Sequence, residues 1–317
     1  MEKVLIVDDD AVTAVLLKRM LEKEGFQVIL AENGKEGLKA FAENQKDISL
    51  IITDWLMPEM DGLEMCQKIR QMKTEHYVYV IFLSAKENKQ DIVAGLKAGA
   101  DDYLTKPFSH EELIARVNVG LRIVRLQQEL KKANHHLEIL ATTDMLTGVL
   151  NRRALRQRLI EELERCARKE TSLCLFMADL DHFKKINDTY GHLVGDKVLQ
   201  EVVKRLKQNL RPYDIIGRYG GEEFVIGIPE ICYRQIIRDI AERIRQSVAN
   251  TPIIINDTEL KITISIGGTV AKPRLEDNME AYLEKLLKKA DDALYEAKQK
   301  GRNRVIIAGE SNEGAHR

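Results

Sequence analysis

The sequence is poor in cysteine and has no long apolar run. Its four cysteines form no Cys-x-x-Cys pair, and its seven histidines form no cluster with Cys66, Cys166, Cys174 or Cys232. This spacing argues against a zinc site and predicts reduced, mostly buried thiols. No stretch approaches the roughly 18–20 consecutive apolar residues of a membrane-spanning helix, and the start lacks the pattern of a secretion signal. We therefore expect a cytoplasmic protein that has no membrane partner.

The chain also has almost no net charge, because 49 basic residues nearly cancel 50 acidic ones. Residues 1–110 carry 14 Lys+Arg and 19 Asp+Glu, whereas residues 111–317 carry 35 and 31. Neither part has the strong basic patch of a protein that binds duplex DNA, so no DNA partner is expected. The length of 317 residues predicts two domains of about 150 residues each.

The first 110 residues alternate between short apolar runs and helical patterns. The runs predict strands at residues 3–7, 48–53, 79–83 and 102–104. The helical patterns lie at residues 12–24, 34–43 and 91–98 and after Pro107, with Asp10 a candidate N-cap of the first helix. This alternation predicts a doubly wound α/β domain with a parallel sheet. Ligands of such domains bind at the carboxyl ends of the strands.

Acidic residues follow two of these strands, with Asp8 and Asp9 after the first and Asp54 after the second. Converging carboxylates repel one another unless a cation lies among them, and hard oxygen ligands suit Mg²⁺. Ser84 and Lys106 follow two further strands and would bring a hydroxyl and an ammonium to the same edge. Such a set allows a carboxylate to accept a phosphoryl group. The alternative is that Asp8 to Asp10 only cap a helix and Asp54 begins a turn.

Four motifs over residues 1–120 resemble the receiver domain of two-component response regulators. They are Val7-Asp8-Asp9, Asp54 to Gly62 (DWLMPEMDG), Ser84-Ala85 and Lys106-Pro107-Phe108. The resemblance implies that Asp54 is the phosphoacceptor and that a cognate histidine kinase is a partner. The implied Mg²⁺ ligands are Asp8, Asp9, Asp54 and the Leu56 carbonyl. The implied switch residues are Ser84 and Lys106, which would contact the phosphoryl group, and the rotating aromatic Tyr103.

A long helix is predicted from residue 109 to residue 142. Ser109 is a candidate N-cap with Glu112 at the capping-box position, and Gly120 is the sole break. Apolar residues alternate at spacings of four and three, as in a coiled-coil seam: Val119, Ile123, Leu126, Leu130, Ala133, Leu137 and Leu140. This pattern favours a parallel homodimer. The alternative is a single helix that packs the stripe on its own domains.

Residues beyond 142 predict an α+β domain with a mostly antiparallel sheet. Gly220 and Gly221 join apolar runs at 214–219 and 224–228, which indicates a β-hairpin because glycine tolerates positive φ at both turn positions. The other expected elements are strands at 172–180, 261–270 and 304–308 and helices at 195–210 and 290–300.

Charged residues collect around this hairpin. Glu222 and Glu223 lie on the turn and Asp179 ends a strand, a usual framework for paired Mg²⁺ ions in nucleotidyl transfer. The cations available for phosphates are Lys184, Lys185, Lys298 and Arg302, the last two being four residues apart on one helix face. The alternative is an acidic turn that is merely solvated.

The turn Gly220-Gly221-Glu222-Glu223-Phe224 resembles the signature of GGDEF-type diguanylate cyclases, in its GGEEF form. The resemblance extends over residues 142–308. Its other motifs are Asp144 to Arg153 (DMLTGVLNRR), Asp179 to Asp188 (DLDHFKKIND), Gly191 to Asp196, and Ala290 to Tyr295 (ADDALY) with Lys298 and Gly301-Arg302-Asn303. Val149 and Gly227 depart from the usual pattern, and neither touches the chemistry.

The resemblance implies a cyclase that binds Mg²⁺ and GTP. The implied Mg²⁺ ligands are Asp179, the Leu180 carbonyl and Glu222, with Glu223 assisting at the metal or at the attacking hydroxyl. The implied GTP contacts are Phe183, Asn187 and Asp196 for guanine and Lys184, Lys298 and Arg302 for phosphates. Arg211 and Asp214 match the family's inhibitory Arg-x-x-Asp site for the product cyclic di-GMP, with Arg243 as a secondary contact. The alternative for Arg211 and Asp214 is a local surface ion pair.

The leading hypothesis is a phosphorylation-activated diguanylate cyclase, in which a homodimer condenses two GTP into cyclic di-GMP and two pyrophosphates. Its expected parts are a receiver domain at 1–120, a helical linker at 109–142, a GGDEF domain at 142–308 and a flexible tail at 309–317. A second hypothesis is a catalytically silent receptor for GTP or cyclic di-GMP, against which the intact acids and cations argue. A third, a DNA-binding response regulator, lacks a basic face.

Overall fold

The computed structural model describes residues 3–72, 74, 76–84, 97–230, 234–255 and 258–309. The helix expected at 91–98 and the tail expected at 309–317 lie almost wholly outside these residues, and Cys232 and Ala85 lie outside them. The chain divides into two compact units, Met1–His136 and Leu137–Arg317. In the described part of the chain, no helix combines the length and the apolar character that crossing a membrane requires.

The first unit is built on a parallel five-stranded sheet. Its strands are β1 (Lys3–Val7), β2 (Gln27–Ala31), β3 (Ile48–Asp54), β4 (Tyr79–Ser84) and β5 (Asp102–Thr105), in the order β2-β1-β3-β4-β5. Its described helices are α1 (Ala11–Lys23), α2 (Gly34–Glu43), α3 (Gly62–Gln71) and α4 (His110–Thr142). One apolar core packs the sheet on α1 and α4, and a second packs it on α2 and α3. The predicted doubly wound α/β fold is confirmed.

The register of this sheet brings several strand ends to the same level. Val7 of β1 pairs with Thr53 of β3, and Ser84 of β4 pairs with Thr105 of β5. Asp54, the last residue of β3, pairs with β4. Because all these strands are parallel, the residues at their carboxyl ends share one edge of the sheet.

Helix α4 is a single continuous helix of 33 residues, about 50 Å long at 1.5 Å per residue. It begins after Ser109, whose Oγ accepts a hydrogen bond from the N–H of Glu112 at 3.1 Å, as the N-cap prediction requires. The boundary between the two units falls within it, between His136 and Leu137. The predicted long helix is confirmed, and its pairing with a second copy stays a prediction.

Two faces of α4 carry its apolar residues. One face buries Leu113, Val117, Leu121 and Val124 in the core of the first unit, and Ile123 packs against the same core. Most of the predicted seam is exposed instead: Val119 by 38%, Leu126 by 57%, Leu130 by 56%, Leu137 by 60% and Leu140 by 42%. The exposed stripe fits the predicted pairing with a second copy, and both this pairing and its alternative stay predictions.

Gly120 lies where α4 approaches β4 most tightly. A Cβ at this position would lie 2.4 Å from Cδ1 of Tyr79, far inside the normal separation of two carbon atoms. Tyr79 is itself buried, with 4% of its surface exposed. The glycine that the sequence pattern marks only as a break in the helix therefore has a packing role.

The second unit is an α+β fold around a five-stranded sheet in the order β12-β11-β6-β8-β7. The strands of this sheet are β6 (Leu173–Leu180), β7 (Ile215–Arg218), β8 (Glu223–Pro229), β11 (Ile264–Ala271) and β12 (Val305–Ile307). Strands β9 (Ile253–Ile255) and β10 (Thr258–Leu260) form a separate antiparallel pair. Its helices are α5 (Arg152–Lys169), α6 (Phe183–Tyr190), α7 (His192–Gln208), α8 (Arg234–Ala249) and α9 (Met279–Gln299). In this sheet β11 and β12 are parallel and the other pairs are antiparallel, so the predicted architecture is confirmed.

Some element limits differ from the sequence prediction. Helix α9 begins at Met279 rather than at 290, because Leu283, Leu286 and Leu287 in its first half pack into a core of the second unit. Strand β11 begins at Ile264 rather than at 261. The sequence reasoning assigned no strand to β2, although Val28 to Ala31 form a short apolar run. This strand lies at the edge of its sheet and is only partly buried.

Gly120→Ala is expected to destabilise the first unit, although alanine favours helix by about 1 kcal/mol over glycine. The added methyl would overlap the Tyr79 ring, and overpacking of this kind costs about 1–3 kcal/mol. Thermal unfolding of the full chain measures the change, with Asn118→Ala at an exposed position of the same helix as the control. A Gly120→Ala midpoint equal to or above that of the wild type would contradict the packing role.

Candidate functional site

Three carboxylates meet at the carboxyl edge of the parallel sheet. Asp8 and Asp9 follow β1, Asp54 ends β3, and each offers an oxygen that lies within 4.8 Å of the oxygens of the other two. Asp8 is buried, Asp54 half-buried and Asp9 exposed. The N-cap of α1 is the next residue, Asp10, whose carboxylate accepts the N–H of Thr13 at 3.3 Å. Capping therefore does not account for the three-acid group.

Lys106 contacts two of these acids. Its Nζ is 2.6 Å from Asp54 Oδ2 and 3.0 Å from Asp8 Oδ2. Burial opposes the charged ammonium, but the hydrogen bonds to Asp54 and Asp8 outweigh burial and raise the pKa of Lys106. Burial also raises the pKa of Asp8, and the bonds from the Asp10 N–H and Lys106 offset this only in part. A positive charge is thus held beside Asp54 at neutral pH.

The donor set of this edge fits Mg²⁺. Three carboxylates supply the hard oxygen ligands that Mg²⁺ prefers, and a bound cation would replace their mutual repulsion by attraction. Among the described residues, this is the one group of three acids, histidines or cysteines close enough to hold a metal ion together.

The other residues implied for this edge lie around it. Ser84 is buried at the end of β4, and its carbonyl accepts the N–H of Lys106 at 2.8 Å. Tyr103 on β5 is half-buried, and the guanidinium carbon of Arg116 lies 5.8 Å from the centre of its ring. Leu56 lies in the bend after β3 with an exposed side chain. The strand ends thus collect Ser84 and Lys106 beside the acids, and the functional roles stay predictions.

The second acidic group is built by the antiparallel pairing of β6 and β8. Asp179, near the end of β6, pairs in register with Glu223 at the start of β8. One residue further, the N–H of Leu180 donates to the carbonyl of Glu222 at 3.3 Å. The hairpin turn between β7 and β8 therefore holds Glu222 and Glu223 next to the end of β6, as the sequence predicts.

Lys298, in the last turn of α9, lies beside these acids with its Nζ 2.8 Å from Asp179 Oδ2. Burial raises the pKa of Asp179 despite this ion pair. Burial, followed by the charge of Asp179, likewise raises the pKa of Glu222 and of Glu223. The three acids thus lie in an environment that opposes their negative charge. Unlike the receiver acids, they are not all close enough to one another to hold one ion together.

Arg218 holds the turn in place, and sequence reasoning missed it. Its guanidinium donates to the carbonyl of Gly221 at 2.7 Å and to both carboxylate oxygens of Asp144 at 3.1 and 3.2 Å. Burial opposes ionisation of Asp144, but hydrogen bonds from Thr147 and the attraction of Arg218 prevail and lower its pKa. The sequence alone cannot show whether an arginine shortly before a glycine pair holds the turn or binds phosphate.

The residues implied for guanine lie at the junction of α6 and α7. Asn187 is half-buried, and its Oδ1 is a buried oxygen that has no hydrogen-bond partner. A Cβ at Gly195 would lie 1.9 Å from this oxygen and 3.2 Å from Phe183 Cζ. Asp196 follows directly and is half-buried. The absence of a side chain at Gly195 therefore makes room for Asn187, whose carbonyl oxygen is left for an incoming donor.

The residues implied for phosphates come from two segments. Lys184 is an exposed residue of α6. Lys298 and Arg302 flank the end of α9, and Arg302 is exposed in a left-handed conformation with φ 61°. Gly301 before it has φ 109° and Asn303 after it has φ 46°, so three successive residues have positive φ.

The Arg-x-x-Asp segment is not a simple ion pair of side chains. The Asp214 carboxylate accepts the backbone N–H of Arg211 at 2.7 Å, whereas the Arg211 guanidinium donates to the hydroxyl of Tyr213 at 2.7 Å. Burial raises the pKa of Asp214, and its Oδ1 is buried without a hydrogen-bond partner. Arg243 donates to the carbonyl of Asn209 at 3.1 Å. The Arg211 side chain and an Asp214 oxygen are therefore both left to receive a ligand.

Comparison with known proteins gives the family of each unit. Residues 141–304, just over half of the chain, match the family model described as diguanylate cyclase, GGDEF domain. The chain belongs to the GGDEF family. Residues 4–118 match the response regulator receiver domain, so this protein carries a receiver domain followed by a GGDEF domain, as the motifs predict.

Individual curated proteins are also similar to the chain. The response regulator PleD of Caulobacter vibrioides is 35% identical over 306 residues, which cover 96% of this chain and 65% of PleD. The diguanylate cyclase DgcP of Pseudomonas aeruginosa is 39% identical over 219 residues, which cover 68% of this chain and 32% of DgcP. The chain thus spans slightly less than two thirds of the length of PleD.

Solved structures of GGDEF proteins also resemble the chain. The coiled coil and GGDEF domain of DgcB from Caulobacter crescentus, in complex with c-di-GMP, is 30% identical with a TM-score of 0.54. The matched region covers 62% of this chain and 99% of the DgcB chain. The diguanylate cyclase SiaD of Pseudomonas aeruginosa, in complex with its activator SiaC, is 37% identical with a TM-score of 0.50. The matched region covers 63% of this chain and 74% of the SiaD chain.

Mg²⁺ is expected to change the fluorescence of Trp55, the single tryptophan of the chain. The N–H of Trp55 donates to Asp54 Oδ1 at 2.6 Å, so an ion bound by Asp54 alters the surroundings of the ring. Titration should show that Asp9→Asn weakens the apparent Mg²⁺ affinity at least about tenfold. Asp10→Asn is the matched control, because asparagine keeps the helix cap. Equal affinities for Asp9→Asn and the wild type would exclude Asp9 as a ligand.

Glu222→Gln is expected to raise the thermal midpoint of the metal-free protein by about 1–2 °C. The pKa of Glu222 is raised by folding, so stability from this group is present at low pH and is lost as pH rises through the raised pKa. Removing the charge therefore restores that stability at pH 7. Thermal unfolding in EDTA measures the change, with the exposed Glu259→Gln as control. A lowered midpoint for Glu222→Gln alone would show that the charge is stabilising.

Proposed function

We propose that this protein is a diguanylate cyclase whose activity is controlled by phosphorylation of its receiver domain. It would condense two GTP molecules into cyclic di-GMP and two pyrophosphates, with one GTP bound by each protomer of a homodimer. The observation that carries the proposal is the pairing of β6 with β8, which gathers Asp179, Glu222 and Glu223 next to Lys298. This group belongs to a chain that also has the acid and lysine edge of a receiver.

The acids and cations of the GGDEF domain divide the work of nucleotidyl transfer. Asp179, the Leu180 carbonyl and Glu222 would hold Mg²⁺, which supplies charge for the phosphate oxygens when bound. Lys184, Lys298 and Arg302 would bind the β- and γ-phosphates, which leave as pyrophosphate. Glu223, which pairs with Asp179 across the sheet, would assist at the metal or accept the proton of the attacking hydroxyl.

Each 3′-hydroxyl attacks the α-phosphorus of the other nucleotide. Two such attacks form two P–O bonds and release two pyrophosphates, and the hydroxyl protons pass to a base or to water. The reaction needs the two GTP molecules to face each other, so positioning supplies most of the rate. A chain that holds one GTP cannot complete the product without a second copy.

Guanine selectivity would come from Asn187 and Asp196. The Asp196 carboxylate accepts the N1–H and N2–H of guanine, and adenine would leave it unpaired at a large free-energy cost. The buried, unpartnered Oδ1 of Asn187 supports this assignment, because such an oxygen is stabilised by a donor from the ligand. Phe183, which is buried, would line the same pocket.

The exposed seam of α4 supports the homodimer. Leu126, Leu130 and Leu137 are each more than half exposed, and burial of such a stripe against a second copy stabilises a coiled coil. A histidine kinase would phosphorylate Asp54. The phosphorylated receiver would then favour one pairing of α4 over another, which is a population shift. We expect the protein to act in the cytoplasm.

Product inhibition would act at Arg211 and Asp214, with Arg243 nearby. The Arg211 guanidinium is exposed for a phosphate of cyclic di-GMP, and the unpartnered Asp214 Oδ1 offers an acceptor to its guanine. Binding at this site would slow the enzyme when product accumulates. The receptor alternative would use the same site without turnover.

The purified protein should convert GTP and Mg²⁺ into cyclic di-GMP, and beryllofluoride should raise the rate at least about tenfold through the receiver. Chromatography of the products measures the reaction, and light scattering follows dimer formation. Asp54→Asn should keep the basal rate and lose the response to beryllofluoride. Glu222→Ala should abolish synthesis, whereas Glu259→Gln should not.

The outcomes separate the hypotheses. Absence of cyclic dinucleotide from the wild type under both conditions would sink the cyclase. Tight binding of cyclic di-GMP without synthesis would favour the silent receptor. A beryllofluoride response that persists in Asp54→Asn would show that Asp54 of the receiver does not control the activity.

A further inference from the structure

Asp181 is a buried acid two residues beyond Asp179, with 5% of its surface exposed. Its Oδ1 accepts the hydroxyl of Ser265 at 2.7 Å, and its Oδ2 accepts the hydroxyl of Thr263 at 2.6 Å. Its Oδ2 also accepts the backbone N–H of Asn303 at 3.0 Å. One carboxylate therefore joins the end of β6 to β11 and to the turn after α9. The proposed mechanism gives Asp181 no role.

The turn that Asp181 holds is an unusual one. Gly301, Arg302 and Asn303 all have positive φ, a conformation that costs free energy for the two residues with a Cβ. The turn persists because both sides of Asn303 are fixed. Its N–H is held by Asp181, and its side-chain Oδ1 accepts Arg245 Nη1 at 2.5 Å.

Arg302 is the residue whose direction this turn decides. Its own N–H donates to the carbonyl of Ala297 at 3.1 Å, and its carbonyl accepts Nε of Arg304 at 3.1 Å. Its side chain is exposed, and it follows by four residues Lys298, whose Nζ is 2.8 Å from Asp179 Oδ2. A change in the backbone at Asn303 would therefore re-aim the Arg302 guanidinium relative to the acids.

We propose that Asp181 is a positioning residue for the triphosphate of GTP and acts through Arg302. The inference rests on the proposed function, because Arg302 is assigned there to the phosphates. The Asp181 carboxylate fixes the left-handed turn at Arg302 and Asn303, whereas Asp179 and Leu180 are held by the pairing of β6 with its neighbouring strands. The direction of the cation for the leaving phosphates thus depends on one buried carboxylate.

The chain offers a matched control for a merely structural role. Ser265 is fully buried and donates to Oδ1 of Asp181, away from Asn303, which bonds to Oδ2. Ser265→Ala removes one hydrogen bond of the same carboxylate and leaves the bond to the turn. Loss of stability alone is therefore expected from Ser265→Ala, whereas loss of stability and of phosphate binding is expected from Asp181→Asn.

The experiment measures binding of guanosine α,β-methylene triphosphate with Mg²⁺ by calorimetry on the full chain, beside thermal unfolding. This analogue cannot release pyrophosphate, so binding is measured without turnover. Asp181→Asn should raise the Kd about tenfold, and Ser265→Ala should change it by less than about twofold. Asp181→Asn keeps the volume of the side chain, so it is preferred to Asp181→Ala, which risks unfolding.

A double-mutant cycle tests whether Asp181 acts through Arg302. Arg302→Ala and the double variant with Asp181→Asn should bind the analogue equally, because no guanidinium is left to position. The affinity for cyclic di-GMP at Arg211 and Asp214 should not change in any variant, since that site lies on other elements. An additive loss in the double variant, or an unchanged Kd in Asp181→Asn, would overturn the proposal.

The two proposals fail in different ways. Wild-type protein that binds the analogue and makes no cyclic di-GMP would sink the cyclase and leave the Asp181 proposal to stand on the Kd values. Wild-type protein that does not bind the analogue would overturn both. Equal losses of affinity in Ser265→Ala and Asp181→Asn would reduce Asp181 to a structural role.

Discussion

Both sites depend on one electrostatic constraint, because carboxylates of like charge must be held close together before an ion or a substrate arrives. In the receiver domain, the parallel register of β1 and β3 places Asp8 and Asp54 at one edge. In the GGDEF domain, the antiparallel register of β6 and β8 places Asp179 opposite Glu223. Backbone pairing across the sheet supplies the force that opposes the repulsion in both cases.

Each site also carries a lysine whose positive charge reduces the repulsion between the acids. Lys106 contacts Asp8 and Asp54, and Lys298 contacts Asp179. Neither lysine cancels the effect of burial, since the pKa values of Asp8 and Asp179 are still raised. The two sheets differ in topology. The pairing of clustered acids with a lysine in both therefore reflects the electrostatics of clustered acids rather than a shared fold.

Asp8, Asp54 and Asp179 could be predicted from the sequence because each lies at the end of an apolar run, and Glu222 and Glu223 because a glycine pair marks their hairpin turn. The same reasoning could not find Arg218 or Asp181. Their partners Asp144 and Asn303 are 74 and 122 residues away, and nothing local marks the pairing. The sequence marks Gly120 only as a break in the helix, because the side chain that requires a glycine there, Tyr79 on β4, is distant in sequence. Short-range patterns thus predict elements and strand-end residues, whereas long-range side-chain anchors need coordinates.

The distance along the chain between Asp181 and Asn303 also bears on synthesis by the ribosome. The acids and lysine of the receiver edge lie within residues 8–106, and the core that supports them extends to Val124 in α4. The anchor of the GGDEF domain cannot close until residue 303 is available, and domains generally fold in the order of their synthesis. The receiver edge can therefore form on the nascent chain well before the Asp181 anchor closes. The two candidate sites are thus completed one after the other during synthesis.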